Sequence, residues 1–457
     1  MAKKLTAGDQ AKIAGRIVEK TLPKLDFSLR ITKAEYRARW RAVQNQMKEK
    51  GYTLAFACGS ELDRSDAAWL AAIYDPIIER YGVLIPAEGK PVILAGSEGG
   101  HVLEGAARES GANVSLMREF QISDEDYRHA HFETFRDILK KAGIKGKQKV
   151  AIFSSPEFLP LAHYELLAEQ FGEANLLFDE QLLQRIKYVK TLKELRICEQ
   201  ANIVADAAFR AMLSVLVPGV RETEVAGVGE FVMKQLGAHR LGFPTIVTSG
   251  DHSYTVIGPA TTKKIASGEI VSLGLSPTWN GYHGIIRRTV RCGKKPTRLQ
   301  RQFIEGVEGL YNVVIQSTIE AAAKNLPSNY VDQAGKAYLA GLKLTTLKGK
   351  SVTPKEPYTF VHNTGCSECQ EGMGAITPYT TEPLGKRVAL MIDVALLGFE
   401  KFGKPAFDCL YAVVEDAFWK NGKKVGVYNQ LPIDVQHLVG NEKPIAKGAS
   451  PYHRPLS

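Results

Sequence analysis

The sequence lacks three features that would each have set the class of protein at once. No apolar run approaches the roughly 20 residues that a membrane-spanning helix needs. The start, MAKKLTAGDQAKIAGR, has neither the apolar core nor the cleavage site of a secretory leader. The six cysteines of the 457-residue chain are spread without the spacing of a disulfide framework. We therefore expect a cytoplasmic protein with reduced thiols and no membrane partner.

A fourth absence is local. The segment 271–290, VSLGLSPTWNGYHGIIRRTV, contains no aspartate or glutamate. Its pattern predicts a β-hairpin, because an apolar run leads to a turn with Asn280 and Gly281, followed by a second run rich in β-branched residues. The second run carries the paired arginines Arg287 and Arg288. The missing carboxylates limit the chemistry that this hairpin can support.

The chain is basic, with a formal net charge of +10. Its lysines and arginines are scattered and form no single run, so nucleic-acid binding is not expected. Residues 32–50 combine a basic face with apolar residues at helical spacing, which predicts an amphipathic surface helix. A basic balance also suits an enzyme that acts on small anions.

Apolar periodicity predicts two domains and a tail. Residues 1–187 alternate short apolar strands with helices, as an α/β domain does, and the predicted helices there are 34–50, 99–110, 126–142 and 160–171. Residues 188–440 combine helices with long β segments, which indicates an α+β domain; its predicted helices include 192–216, 297–325 and 329–342. The tail, 441–457, has no periodicity, and we expect it to lie over the surface or on a partner subunit.

Seven motifs appear in a fixed order along the second domain: LKELRICEQANIVADAAF, VPGVRETEVAG, FPTIVTSG, the NGY hairpin with its RT ending, HNTGC, VALMIDVAL and VVEDAFWKNG. In this order the chain resembles the creatinase/prolidase/methionine-aminopeptidase family. The resemblance covers essentially the whole chain. It implies an N-terminal creatinase-type α/β domain followed by an α+β domain of the "pita-bread" fold. The motifs are specific for this fold and much less specific for the chemistry.

Metal-dependent members of that family hold two metal ions with five ligands, and the resemblance assigns each ligand position to a residue of this chain. These positions fall on Gly274, Ile285, Cys366, Asp393 and Glu415. A pair of divalent ions needs bridging carboxylates and several oxygen or imidazole ligands, but glycine and isoleucine offer none. We therefore predict no metal and no other cofactor, unlike a typical dinuclear aminopeptidase.

Creatinase-like members work without metal, and the resemblance implies an acid/base histidine downstream of the SG turn. The residue seven positions beyond Gly250 is Ile257, whereas His252 lies two positions beyond the glycine. His252 can take the catalytic role only if its loop bends inward.

Side chains alternate along a strand, which predicts that His283 and Arg287 share one face. The resemblance implies that this face lines the pocket, with Tyr282 as a further substrate-binding candidate. A buried arginine must find an anion, because an unpaired buried charge is costly. Two alternatives remain open: Arg287 pairs with Asp393 and Glu415, or it binds the carboxylate or phosphate of an anionic substrate.

His362, Cys366 and Glu368 are also predicted to share a strand face. Cys366 and His362 suit a thiolate-imidazole pair that acts as nucleophile and general base. Alternatively, Cys366 is a small buried residue that fills the space of a histidine. Zinc is not expected, since Cys366 and Cys369 point to opposite faces of an extended strand.

Asp393 and Glu415 are the remaining candidates for acid/base chemistry. Two neighbouring carboxylates split their pKa values and leave one protonated near neutral pH. Such a pair can activate water or protonate a leaving nitrogen. The alternative is a salt bridge to Arg287.

Three residues of the N-terminal domain are candidates for closing the substrate site: Arg64, Trp69 and Arg80. The resemblance implies a homodimer in which this region reaches over the site of the neighbouring subunit. Ordinary surface roles for these residues remain open.

The main functional hypothesis is a metal-independent hydrolase of the creatinase/ectoine-hydrolase type, acting on a carbon-nitrogen bond of a small anionic molecule. The alternative is a catalytically inactive protein of the same fold that binds a peptide, a small ligand or a protein. A third hypothesis is an enzyme with one metal ion held by Cys366, Asp393 and Glu415.

Overall fold

The computed structural model describes residues 5–122, 126–367, 374–401, 403–435, 439–440 and 449–456. None of the helices in these ranges combines the length and the apolar character needed to cross a bilayer.

Several helices begin at capping boxes. In each, the threonine side chain accepts from the backbone N–H of the third helical residue, and the side chain of that residue accepts from the threonine N–H. The capping threonine Thr134 lies inside the predicted helix 126–142. Residues 126–134 are therefore not helical, and that prediction was too long. The described helices are α1 (Ala7–Thr21), α2 (Lys33–Glu49), α3 (Ser65–Ala71), α4 (Gly100–Ser110), α5 (Phe135–Lys141), α6 (Leu161–Phe171), α7 (Glu180–Tyr188), α8 (Leu192–Val215), α9 (Glu222–Gln235), α10 (Arg298–Lys324) and α11 (Asn329–Gly341).

Strands occur in both halves of the chain, and the two longest, β15 and β18, lie near its C-terminal end. The described strands are β1 (Leu54–Gly59), β2 (Tyr81–Pro86), β3 (Val92–Ala95), β4 (Asn113–Leu116), β5 (Val150–Ile152), β6 (Leu176–Phe178), β7 (Ile246–Ser249), β8 (Ile270–Leu275), β9 (Thr278–Trp279), β10 (Tyr282–His283), β11 (Ile286–Arg291), β12 (Leu344–Thr345), β13 (Ser351–Val352), β14 (Val361–Asn363), β15 (Arg387–Leu397), β16 (Phe399–Lys401), β17 (Lys404–Pro405), β18 (Tyr411–Asn421) and β19 (Lys424–Val427).

Contacts divide the chain into two compact units. One unit is Leu29–Val189; the other contains the chain up to Ser28 and the chain from Lys190 onward. Residues 1–28, which were predicted to belong to the N-terminal domain, belong instead to the second of these units. The reason is that α1 packs its buried residues, including Ile13 and Val18, against α8 and α9.

The unit formed by residues 29–189 is an α/β unit around a mixed six-stranded sheet in the order β4-β3-β2-β1-β5-β6. The parallel pairs are β1–β5, β5–β6 and β3–β4, while β2 runs antiparallel to β1 and β3. Aliphatic and aromatic side chains of these strands and of the adjoining helices form its core. A buried ion pair joins Lys187 Nζ to Asp66 Oδ1 at 2.9 Å.

The other unit is built on an antiparallel sheet in the order β14-β15-β18-β11-β8-β7, with β19 beside β18. Helix α10 packs on β15 and β18. The register places Arg287 opposite both Gly274 and Glu415, and places Asp393 opposite Glu415. Three antiparallel strands therefore bring the retained carboxylates and one arginine to neighbouring positions.

The hairpin predicted at 271–290 is present. Asn280 and Gly281 form its tip with φ values of 46° and 78°. Two successive positive φ values suit a hairpin turn of type I′, which favours the Asn-Gly pair.

Of the predicted tail 441–457, residues 449–456 are described. The Val427 N–H donates to Tyr452 O at 3.0 Å, and the Arg454 N–H donates to Val427 O at 3.1 Å. The Trp419 indole N–H donates to Arg454 O at 3.1 Å. This segment thus lies beside β19 of its own chain.

Arg288, which follows Arg287 on β11, points to the opposite face of the sheet and is fully buried. Its Nη2 donates to both carboxylate oxygens of Asp416, at 2.8 and 3.0 Å. Tyr311 donates a further bond to Asp416 Oδ2 at 2.7 Å. Arg288 also donates to the carbonyls of Glu415, Leu431 and Pro432. One guanidinium thus ties β11 to β18 and to the loop that follows β19.

Replacing Arg288 with methionine should strongly destabilise the protein. The change leaves Asp416 as a buried charge without its partner, which costs about 3–5 kcal/mol. The measurement is the free energy of unfolding in denaturant, with the exposed Arg298→Met as the matched control. A loss below about 1 kcal/mol for Arg288→Met would contradict the anchoring role.

Candidate functional site

The centre of the candidate site is the guanidinium of Arg287. Its Nη1 lies 3.7 Å from Asp393 Oδ2 and 3.7 Å from Glu415 Oε2. All three side chains are more than nine-tenths buried. Of the two alternatives left open by the sequence, the structure contains the internal pairing of Arg287 with the two acids.

Further groups hold the guanidinium in place. Arg287 Nη2 donates to the Val256 carbonyl at 2.7 Å and to the Tyr411 hydroxyl at 2.9 Å. Arg287 Nη1 donates to the Tyr358 hydroxyl at 3.4 Å. Burial acts to lower the pKa of Arg287, but the nearby phenols and carboxylates outweigh it and raise the pKa well above its ordinary value. Arg287 is therefore a permanent cation.

The two tyrosines connect the arginine to one of the acids. The Tyr358 hydroxyl donates to Asp393 Oδ1 at 2.9 Å and lies 2.9 Å from the Tyr411 hydroxyl. Burial, followed by the charge of Asp393, raises the pKa of Tyr358 well above its ordinary value. Burial also raises the pKa of Tyr411, so both phenols are neutral at physiological pH.

Gly274 makes room for Arg287. A Cβ atom added at Gly274 would lie 2.7 Å from Arg287 Cγ and 3.3 Å from its Cδ. The family resemblance assigns the first metal-binding aspartate to position 274. In this chain the side chain of Arg287 lies over that position instead.

His362 and Glu415 form a second pair within the site. His362 Nε2 lies 3.7 Å from Glu415 Oε1 and 4.0 Å from Asp393 Oδ2. Glu415 Oε1 is buried and has no hydrogen-bond partner within 3.5 Å among the described residues. Burial raises the pKa of Glu415, the charge of Asp393 raises it further, and His362 and Arg287 act against the shift.

The residues present do not fit a pair of metal ions. Gly274 and Ile285 supply no ligand atom, and the Arg287 guanidinium already neutralises the carboxylates that would bridge two cations. One ligand atom from each of His362, Asp393 and Glu415 does lie within 4.8 Å of the others. Within the described part of the chain, this cluster contains His362 and not the Cys366 of the single-ion hypothesis.

Cys366 is buried, but the strand-face argument for it was wrong. Strand β14 ends at Asn363, so alternation does not extend from His362 to Cys366. Glu368 and Cys369 lie outside the described residues.

Tyr282 and His283 contact groups outside the Arg287 cluster. The Tyr282 hydroxyl donates to Glu194 Oε1 at 2.7 Å, and His283 Nδ1 lies 3.1 Å from Gly365 O. The predicted common face of His283 and Arg287 was wrong, because β10 ends at His283 and β11 starts at Ile286. Between the two strands lies Gly284, where an added Cβ would lie 2.5 Å from backbone atoms of Ala201.

His252 belongs to a different network. It lies in the 3-10 turn Gly250–Tyr254, and its Nδ1 is 2.8 Å from Glu222 Oε2. The buried carboxylate of Glu222 also accepts bonds from Ser249 and Thr261. The imidazole of His252 is therefore tied to Glu222 and is not part of the cluster of His362, Asp393 and Glu415.

The three candidates from the N-terminal region lie in the unit 29–189. Trp69 is buried, and the guanidinium of Arg39 stacks 4.7 Å above its ring and donates to its carbonyl. This packing does not fit a substrate-contacting role for Trp69. Arg64 is half-buried and Arg80 is exposed, and their predicted role in closing a site stays a prediction.

Comparisons with known proteins agree with this architecture. Residues 196–386 match the family model of metallopeptidase family M24. A prolidase structure from Pyrococcus horikoshii superposes with a TM-score of 0.66 at 18% identity, and the match covers 87% of this chain and 99% of that one. The predicted fold, an N-terminal α/β domain followed by a pita-bread domain, is confirmed.

Two relatives match part of the chain in amino-acid sequence. The chain is 31% identical to an Xaa-Pro dipeptidase of Pyrococcus furiosus over 156 residues, which are 34% of this chain and 42% of the relative. It is 27% identical to an uncharacterized peptidase of Bacillus subtilis over 210 residues, 44% of this chain and 58% of the relative. The aligned regions thus span about half the length of these relatives.

The match of residues 196–386 to the model of metallopeptidase family M24 agrees with the predicted resemblance to the creatinase/prolidase/methionine-aminopeptidase family. Peptidases are hydrolases, so the name of the matched family agrees with the predicted hydrolase class. The matched proteins are named as peptidases, and they give no support to the predicted metal independence or to the predicted anionic substrate.

Tyr358 and Tyr411 were missed by the sequence analysis. Tyr411 could have been found, because it lies four residues before Glu415 on β18 and strand alternation places both on one face. Tyr358 lies outside the strands and carries no such signal.

Replacing Tyr358 with phenylalanine should destabilise the site. The change removes the hydroxyl between Asp393, Tyr411 and Arg287, and unsatisfied buried polar groups cost about 1–3 kcal/mol. The measurement is the free energy of unfolding, compared with Tyr379→Phe, whose side chain is 89% exposed. Equal stabilities for the two variants would show that this hydroxyl does not support the cluster.

Proposed function

We propose that the protein is a hydrolase that cleaves a carbon-nitrogen bond of a peptide-like substrate without a pair of metal ions. The observation that carries this proposal is the pair of His362 and Glu415, whose Nε2 and Oε1 atoms are 3.7 Å apart. A water molecule about 2.8 Å from each atom fits this separation. The names of the matched relatives favour a peptide-like substrate.

Glu415 is the proposed general base. Its Oε1 lies in a desolvated position without a hydrogen bond among the described residues, and its raised pKa makes it a better proton acceptor than an exposed glutamate. In the proposed reaction, Glu415 takes a proton from water while the water oxygen bonds to the carbonyl carbon. The carbon-nitrogen bond then breaks, and the same proton passes from Glu415 to the leaving nitrogen. The products are an acid and an amine.

Arg287 and Asp393 have supporting roles in this proposal. The Nη1 and Nη2 atoms of Arg287 donate to Tyr358, Tyr411 and the Val256 carbonyl. Asp393 and Glu415 balance its charge, so burial of this arginine does not require an anionic substrate. Asp393 shares the cation with Glu415 and raises the pKa of the latter.

A non-catalytic binding protein is the second candidate. It is favoured by the same ion pairs, because Arg287 neutralises both acids inside the chain and leaves them less free to act on a substrate. Under this alternative, peptides bind without being cleaved.

Replacing Glu415 with glutamine should lower kcat by about 10²- to 10⁴-fold, because it removes the general base. The assay is hydrolysis of a panel of Xaa-Pro and other dipeptides and N-acyl amino acids, with and without a chelator. The matched control is the exposed Glu19→Gln. Loss of turnover in chelator, restored by a divalent ion, would contradict metal independence. Equal rates for Glu415→Gln and wild type would rule out Glu415 as the base, and binding without turnover would favour the second candidate.

The pH profile tests the same assignment. A general base must be deprotonated, so kcat/KM should fall as the pH drops through the pKa of Glu415. Because burial and Asp393 raise this pKa, the acid limb should lie above the ordinary glutamate value of 4.5. A limb at or below that value would contradict the role of a buried Glu415.

Cytoplasmic location and homodimer formation remain part of the proposal. In such a dimer, Arg64 and Arg80 of one chain would close the site of the other. Light scattering gives the oligomeric state, and a monomer with full activity would argue against this arrangement.

A further inference from the structure

Two buried carboxylates face one another at the centre of the site. Asp393 and Glu415 are paired across β15 and β18, and both are more than nine-tenths buried. Such a pair requires a nearby positive charge, because two buried anions repel one another and burial is costly for each charge. In this chain the positive charge is the guanidinium, 3.7 Å from an oxygen of each acid.

The path of the arginine side chain depends on the residue opposite it. Arg287 and Gly274 are directly paired on β11 and β8. A Cβ at position 274 would lie within 2.7 Å of Arg287 Cγ, a distance that real Cβ contacts do not adopt. An arginine in this conformation and a ligand-bearing side chain at position 274 therefore exclude one another.

The guanidinium is also held independently of the acids. The Val256 carbonyl and the Tyr411 hydroxyl accept its two shortest bonds, at 2.7 and 2.9 Å. The cation is thus fixed by neutral groups and positioned against the anions. It cannot leave the site as an ion in solution can.

From these contacts we infer that Arg287 is a built-in substitute for a metal cation, and that removing its charge turns His362, Asp393 and Glu415 into a site for one divalent ion. The three ligand atoms lie within 4.8 Å of one another. One imidazole and two carboxylates suit a divalent ion such as Mn²⁺ or Zn²⁺. This inference concerns cation binding and does not depend on whether the protein turns over a substrate.

The experiment is a titration with Mn²⁺, in which free Mn²⁺ is followed by electron paramagnetic resonance. Mn²⁺ prefers oxygen ligands such as carboxylates to the thiols of the chain. Arg287→Met should bind one equivalent at least tenfold more tightly than the wild type. Arg287→Lys, which keeps a positive charge, should not gain this site. Arg287→Met combined with Glu415→Gln should lose it again.

Two outcomes would overturn the inference. The first is that wild-type protein binds one equivalent of Mn²⁺ as tightly as Arg287→Met does, with Glu415→Gln abolishing the binding in both. The second is that Arg287→Met, with the circular dichroism of the wild type, binds no Mn²⁺. If Arg287→Met fails to fold, the wild-type titration still tests the inference: tight binding of one equivalent of Mn²⁺ by the wild type, abolished by Glu415→Gln, would overturn it. Failure of the hydrolase proposal would instead appear as absent turnover with these titrations unchanged.

Discussion

The structure depends on the neutralisation of two consecutive buried arginines. Arg287 and Arg288 point to opposite faces of the sheet because side chains alternate along β11. The neighbouring strand β18 supplies an acid to each face, Glu415 to the first and Asp416 to the second. A shift of one residue between β11 and β18 would turn each arginine away from its acid. The two ion pairs therefore favour the observed register of these strands.

The two arginines nevertheless differ in what they do. Arg288 is enclosed by Asp416, Tyr311 and backbone carbonyls, and it serves the packing of the domain. Arg287 lies among titratable groups that border the partly accessible His362. One face of the sheet is therefore a structural anchor, and the other is where chemistry or binding is proposed.

Much of the fold could be predicted from the sequence. Helix bounds agreed closely at Thr191 and Thr297, because capping is a local interaction between residues three apart. The threonine cap at Thr134 was overlooked, and the helix there was predicted too long. The family motifs identified Asp393 and Glu415 correctly as neighbours across two strands. The assignment of residues 1–28 failed because helix α1 finds its apolar partners in α8 and α9, which are far away in sequence.

The errors at the site have a common physical cause. Strand alternation was extended beyond the points where the strands end, at His283 and at Asn363. Between β10 and β11 the close approach of Gly284 to the backbone of Ala201 is a contact that no local pattern reveals. The sequence left the orientation of His252 open, because its partner Glu222 lies in α9 and the pairing is visible only in three dimensions.

The contact between Gly274 and Arg287 also bears on how the sequence can change. Because the added Cβ and the arginine side chain overlap, an aspartate cannot enter position 274 while Arg287 keeps its present path. An arginine, conversely, could enter position 287 in this conformation only after position 274 had become glycine. The order of substitutions is therefore restricted, and reversal requires that the arginine be lost first. Gly274 and Arg287 can therefore be replaced only in a fixed order, and this makes a return to an aspartate at position 274 less accessible than a change at either position alone.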